Sequence, residues 1–305
     1  MTEAIFHPRF AHPFLAEALE DTPAVLVHGP RQCGKTTLAR AVGDKAGYSY
    51  ISFDDDVLRA SVKADPVGFV ADLPDKVVLD EVQRVPELFT ALKVAVDRDR
   101  RPGRFILTGS ANVLLVPRLA DSLAGRMEIL RLHPLAQSEL AAKQPDFLDA
   151  LFGDGFKANQ RARLGKELAE RIAAGGYPAA LARPSSRRRA TWYRDYIETL
   201  VQRDVRDMAR ISSLDVLPRL LTLAAGQTAR LLNVADLASP FQLSRPTIRD
   251  YVTLLARVFL LEELPPWHNN RDAQNHRGQP TPQGVARLQY TPKARGTKAA
   301  TRVTL

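Results

Sequence analysis

Residues Ala24–Ala39, AVLVHGPRQCGKTTLA, decide how this chain is read. The apolar run Ala24–Val27 has the length and composition of a buried strand. Gly29-Pro30-Arg31-Gln32-Cys33-Gly34-Lys35-Thr36 then fits G-x-x-x-x-G-K-[ST], and a helical pattern follows from Lys35 through Thr37 onward. Glycines let successive backbone N–H groups curl around an anion, and the helix behind them turns the positive end of its dipole toward it. Lys35 is placed to reach the outer phosphates of a nucleotide, and the Thr36 hydroxyl to take a magnesium position. The competing reading, a glycine turn with a solvated lysine, does not account for the strand and helix on either side.

Outward from the loop, PFLAEALED (Pro13–Asp21) reads as an amphipathic helix and YSYISF (Tyr48–Phe53) as a second strand. Asp54-Asp55-Asp56 at its tip suits the cap of a following helix better than a water-mediated magnesium contact. KVVLDEVQ (Lys76–Gln83) reads as a buried parallel strand carrying two carboxylates at its C-terminal end, the edge where open α/β sheets bind ligands. Asp80 is expected to hold the magnesium hydration shell and Glu81 to orient or deprotonate a water. RFILTGSA (Arg104–Ala111) gives a further strand with Thr108, Ser110 and then Asn112 at its tip. These either sense the terminal phosphate or merely stabilise a strand-end turn. A helix is expected over Leu114–Leu123 and a last core strand over Met127–Leu132.

The series of phosphate loop, VVLDEVQ, ILTGSAN and SLAGRMEILRLHPLAQSEL resembles the AAA+ branch of the P-loop ATPases. More narrowly, it is similar to the prokaryotic ATPases that carry a C-terminal domain of unknown function. The resemblance runs from about Phe10 to Asn270, through Gly175-Gly176-Tyr177-Pro178, WYRDYIETLVQRDV and LSRPTIRDYVTLLARVFLLEELPPW. It implies an α/β P-loop NTPase core with a parallel sheet of order 5-1-4-3-2, ATP and Mg2+ as ligands, and Thr108 or Ser110 as the first sensor. It also points to Arg126, with Arg118 competing, as an arginine finger that a neighbouring subunit supplies on self-association. A surface or interdomain salt bridge is the equal alternative for Arg126. The absence of an N/TKxD-type guanine-reading motif agrees with ATP.

The expected organisation is an ATPase core over 10–138, a helical region over 139–212, a winged-helix-like domain over 213–267 and a basic, disordered tail over 268–305. In the helical region, the basic triplet Arg187–Arg189 reads as a solvated helix start, and Arg203 with Asp204 is open between an ion pair and a nucleotide sensor. In the winged-helix segment, Ser244 caps a helix over Arg245–Val258. Arg245, Thr247 and Arg249 would face double-stranded DNA if that helix enters a major groove, and solvent if the module only packs. The net charge is +9 over 305 residues, but +6 of it lies between Trp267 and Leu305, which leaves the body weakly basic. The tail is either a basic arm for nucleic acid or the end of a truncated gene.

No apolar run approaches the ~20 residues needed to span a bilayer, and MTEAIFHPRF lacks the grammar of a signal peptide, so a cytoplasmic location away from membranes is expected. The lone cysteine, Cys33, makes no internal disulfide; it is read as a small loop residue before a redox-sensitive thiol. Three functions follow: a Mg-dependent ATPase used as a conformational switch, a DNA-binding regulatory module with structural nucleotide, or a truncated inactive relic.

Overall fold

The computed structural model describes residues 7–110, 125–143, 147–153, 165–206, 214–228, 230, 232–264 and 300–303. The described residues fall into two units, one through Tyr196 and one from Ile197 onward. The helical region expected over 139–212 is therefore divided, its first part belonging with the sheet.

In the first unit, α1 (Ala11–Asp21), β1 (Ala24–His28), α2 (Lys35–Gly43), β2 (Ser49–Ser52), α3 (Asp56–Ala64), α4 (Pro66–Ala71), β3 (Val77–Asp80), α5 (Leu88–Arg98), β4 (Phe105–Gly109) and β5 (Met127–Arg131) follow in order. The five strands form one sheet of order β2-β3-β4-β1-β5, and every pairing is parallel. That is the expected 5-1-4-3-2 order read from the other side. The period-2 alternation of the strands sorts two cores. Val25, Val27, Val78 and Ile106 pack with Leu15 of α1 and Leu38 and Val42 of α2. Leu26, Val77, Leu79, Phe105 and Leu107 pack with Val62 of α3, Val70 of α4 and Leu88, Phe89 and Leu92 of α5. β1, β3 and β4 are buried along their whole length, as strands covered on both faces must be, whereas the outer strands β2 and β5 are partly exposed. Asp55 caps α3 by accepting from the N–H groups of Val57 and Leu58, while Asp54 pairs with Arg84, so the acidic triplet serves local structure.

Short helices α6 (Gln137–Leu140), α7 (Phe147–Phe152), α8 (Gly165–Ala174) and α9 (Pro178–Leu181) lead to α10 (Ser186–Thr199). Gly176 explains the glycine pair: a Cβ there would stand 2.2 Å from the Leu135 carbonyl oxygen, while the Gly176 carbonyl accepts from Leu135 N–H at 2.8 Å. Tyr177, Trp192, Tyr193 and Tyr196 cluster behind it, with Trp192 stacked on Tyr196 at 4.9 Å.

The second unit takes up the end of α10, a π-helical segment over Leu200–Val205, α11 (Val216–Ala225), α12 (Val234–Ala238), α13 (Arg245–Arg257) and the antiparallel pair β6 (Leu261–Leu264) and β7 (Ala300–Val303). Ser244 caps α13 through the Thr247 N–H, as its position before Arg245 requires. The tail departs from the expectation of disorder at one place, since Ala300–Val303 is a strand that extends the β6 ladder. Four residues without an alternating pattern leave no signal of their own; the pairing edge of β6 supplies it. Leu114–Leu123, Asn112 and Arg118 lie outside the described residues.

Candidate functional site

The phosphate loop leaves β1 at His28 and enters α2 at Lys35. Two of its residues need left-handed backbone: Gln32 at φ +59° and Gly34 at φ +100°. Gly29 is confined from outside, since a Cβ there would lie 2.1 Å from the Leu132 carbonyl oxygen. Lys35 is buried, and its Nζ donates to the loop's own carbonyls, Gly29 at 3.1 Å and Pro30 at 2.8 Å. The Tyr196 hydroxyl donates to the Arg31 carbonyl at 3.0 Å. Arg9 donates to the Cys33 carbonyl at 2.7 Å and to the His133 carbonyl, and it pairs with buried Glu139 at 3.1 Å. Glu139 in turn accepts from the backbone of Phe10 and Ala136, so a network of charge-assisted bonds ties the N-terminal segment to the loop.

At the C-terminal edge of the sheet, β3 and β4 deliver the carboxylates and hydroxyls side by side. Asp80 is buried and takes three hydroxyl donors. Thr36 reaches its two oxygens at 2.9 and 3.1 Å, Tyr50 reaches Oδ2 at 2.7 Å, and Thr108 bonds to Oδ1. Burial and the Asp80 carboxylate push the Tyr50 phenol up to about 12, so it remains a donor. Thr108 also accepts from the Glu81 N–H at 3.1 Å, and Glu81 itself has φ +60°. A non-glycine residue held there is uncommon and characteristic of functional turns. Gln83 Nε2 donates to Glu81 Oε2 and, at 3.0 Å, to Ser110 Oγ. The Thr36–Asp80 pairing suits magnesium: both are hard oxygen donors on facing elements, close enough for one small cation or its waters to bridge.

Two electrostatic consequences follow from burial. His28 is lowered to about 4, first by desolvation and then by Lys35 and Arg131, so it is neutral beside the loop. The Cys33 thiol is pushed up, chiefly by burial, and its Sγ lies 3.6 Å from the Leu132 carbonyl; a protonated, enclosed thiol is a packing residue and not a redox sensor. Beside the loop, a cavity of about 280 Å3 is lined by His7, Arg9 and His12 on one side and by Gly34, Thr37 and Ala41 on the other.

Residues 21–141 match the family model described as an AAA domain. This stretch is an AAA+ domain of the P-loop ATPases. It is followed by a match over 165–281 to a domain of unknown function, DUF8612, which begins inside the first structural unit and continues into the second. The uncharacterized proteins Rv2008c of Mycobacterium tuberculosis and Mb2031c of Mycobacterium bovis are each 32% identical over 257 residues, which is 84% of this chain and 53% of theirs. The chain thus spans about half the length of these curated relatives. Among solved structures, the Walker-type ATPase PABY2304 of Pyrococcus abyssi matches with a TM-score of 0.53 at 17% identity, covering 86% of this chain and 92% of that one, a likeness of fold.

Within this AAA+ core, the structure gathers Lys35, Thr36, Asp80, Glu81, Thr108 and Ser110 at one sheet edge and sets Arg126 apart. Arg126 immediately precedes β5, and Met127 pairs in register with Ala24, the first residue of β1. It therefore stands at the N-terminal edge of the sheet, one strand length from the loop, where it forms a two-point ion pair with Asp97 at 2.6 and 3.1 Å. Within the chain Arg126 thus makes the salt bridge that stood as the equal alternative to a finger supplied to a neighbouring subunit; adjacency to a core strand placed it near the sheet but did not say at which end. In the second unit Arg245 is exposed, Thr247 shares a hydrogen bond with the Ser244 hydroxyl, and Arg249 pairs with Glu263 of β6 at 3.0 Å. Sequence reasoning missed Arg9, Tyr50, Gln83 and Tyr196. Gln83 stood inside the quoted KVVLDEVQ, whereas the others act on residues 24 to 165 positions away, at separations that leave no local pattern.

Proposed function

We propose that this AAA+ protein hydrolyses ATP with magnesium and uses the nucleotide as a conformational switch. The observation that carries the reading is the hydroxyl and carboxylate network in which Asp80 meets Thr36 and Thr108 while Thr108 also holds Glu81. The backbone of Gly29, Pro30, Arg31, Gln32, Cys33 and Gly34 would cradle the phosphates, and Lys35 would exchange its two loop carbonyls for phosphate oxygens. Thr36 and Asp80 would hold magnesium, which neutralises charge on the phosphates. Glu81 orients the attacking water, and the Thr108 and Ser110 tips respond to the terminal phosphate. The neighbouring cavity, with Thr37 on its wall, has room for the nucleoside. A change at the loop would be felt by α10, since Tyr196 bonds to the Arg31 carbonyl.

Steady-state ATP hydrolysis and nucleotide binding by wild type and Glu81→Gln test this reading. Turnover should fall by about 10² or more in the variant, with binding kept within a few-fold. Turnover surviving in Glu81→Gln would remove Glu81 from the mechanism, and absence of turnover in both proteins would leave a nucleotide-stabilised module.

A second reading, DNA binding by the 216–264 region, draws support from its three helices, with capped α13 followed by β6, which pairs with the distant β7, an order compatible with a winged helix. Against it, Arg249 is already paired with Glu263. Retention of duplex DNA by wild type and its loss in Arg245→Ala would favour that reading. No helix among the described residues is long and apolar enough to cross a membrane, and a cytoplasmic site of action is part of the proposal.

A further inference from the structure

Gln83 occupies the 3-10 turn Val82–Arg84 that follows the carboxylate pair, and its side chain returns to the sheet edge. Its Nε2 donates both to Glu81 Oε2 and to Ser110 Oγ. A carboxylate only accepts, so Glu81 fixes which end of the Gln83 amide carries the nitrogen. Oε1 is buried and has no hydrogen-bond partner among the described residues. An orphaned buried carbonyl costs on the order of 1–3 kcal/mol, so space-filling alone would be served better by an apolar side chain. The amide is kept for what its nitrogen does.

Glu81 needs such a partner. Its left-handed backbone, φ +60° and ψ +42°, turns the side chain out of the strand direction, and its N–H is anchored by Thr108. Thr108 secures the backbone but leaves the carboxylate torsions loose. Among the described residues Gln83 is the group that holds the carboxylate, and it ties it to the tip of the adjoining strand, where Ser110 is 2% exposed.

We propose that Gln83 is a positioning residue that orients the Glu81 carboxylate and couples it to Ser110. It touches neither phosphate nor water; it acts through Glu81. The inference rests on the reading of Glu81 as the water-orienting group, and it specifies Ser110, through Gln83, as the strand-tip residue that reports to the Glu81 carboxylate. Thr108 reports instead to Asp80 and to the Glu81 backbone.

The test is steady-state MgATP hydrolysis by the full chain carrying Gln83→Met, which keeps the shape and removes the donor. Gln83→Asn, which withdraws the donor by one methylene, is run beside it in case the first variant fails to fold. Gln83→Met should lower kcat by about 10- to 100-fold, the scale of a ~1 Å misplacement, with KM within about threefold. Gln83→Asn should fall between Gln83→Met and wild type. Ser110→Ala should lower kcat by a few-fold in the wild-type background and add nothing in the Gln83→Met background, because its route to Glu81 is already cut. A packing role would instead move KM and thermal stability, and the two substitutions would add. Additive effects, a kcat within twofold of wild type, or a rise in kcat would each overturn the proposal. Glu81→Gln separates the layers: if it abolishes turnover while Gln83→Met leaves it intact, only the coupling fails. If Glu81→Gln turns over normally, the underlying reading fails and the coupling with it.

Discussion

The two edges of the central sheet use the same residue types to opposite ends. At the C-terminal edge Asp80 is 3% exposed and takes three hydroxyl donors, with no arginine among those partners. At the N-terminal edge Asp97 and Asp99 are solvated and surrounded by guanidinium groups: Arg126 and Arg100 on Asp97, Arg101 and Arg104 on Asp99. Both Asp97 and Asp99 are held below the usual carboxylate range, first by the side-chain hydrogen bonds of Arg126 and Arg101 respectively, and Asp99 reaches about 2. A cation already bonded to a solvated carboxylate completes the second edge, whereas a buried carboxylate ringed by hydroxyls still has charge to offer. Carboxylates at a ligand edge are therefore told apart by their partners: neutral donors leave an anion able to bind a metal, and guanidinium donors do not.

The largest expected effect sets identical substitutions against each other across the sheet. Asp80→Asn removes the negative charge that Thr36, Tyr50 and Thr108 surround, and Mg-dependent turnover should fall by about 10² or more. Asp97→Asn removes an exposed charge, and kcat should remain within about twofold. The measurement is ATP turnover against magnesium concentration for both variants. Equal losses would mean that the division between the edges is wrong.

A smaller effect separates the edges by acid. Unfolded histidine takes a proton below about 6.5, whereas His28 in the folded chain resists until about 4, so the unfolded state binds more protons in that window. Stability from this residue is therefore complete above pH 6.5 and is lost as the pH falls toward 4, by about 2–3 kcal/mol at the lower limit. Asp99, depressed to about 2, gives stability that is lost only below about pH 5, where the unfolded carboxylate takes up protons, so between pH 7.5 and 5.5 the slope belongs to His28. Urea midpoints at pH 7.5, 5.5 and 4.5 for wild type and His28→Asn should show a steeper decline in wild type. Parallel declines would assign the acid sensitivity elsewhere.

How much of this was legible in the sequence depends on how far each signal travels along the chain. The loop and the strands declared themselves because glycine spacing and apolar runs are local, whereas the order of the strands in the sheet came from the resemblance to AAA+ ATPases. Asp55 as a helix cap was legible for the same reason. The Arg9–Glu139 pair joins residues 130 positions apart, and Tyr196 reaches Arg31 across 165; at that distance only the fold brings donor and acceptor together. Gln83 was visible but mute, because a glutamine two residues after a carboxylate has many uses until its amide is seen between Glu81 and Ser110. β7 stayed hidden because its pairing is decided by β6, not by its own four residues.

Arg126 is the smallest expected effect and the sharpest use of the comparison. It is an arginine beside a core strand of an AAA+ protein, where residue type and sequence neighbourhood suggest a charge-stabilising finger. Register places it at the N-terminal edge of its own sheet, beside Asp97 and one residue before the position level with Ala24. The strand between it and the loop has five residues, so at ~3.3 Å per residue the guanidinium lies on the order of 15 Å from the phosphate site of its own chain. Arg126→Ala should leave kcat and KM within about twofold, while freeing Asp97 to titrate nearer its ordinary range, because the main cause of its depression is gone. Activity measured across a range of protein concentrations checks both halves of the argument. A large loss of kcat that grows as self-association increases would mean that the residue works across a subunit boundary, and that the outer edge of one sheet serves the ligand edge of another.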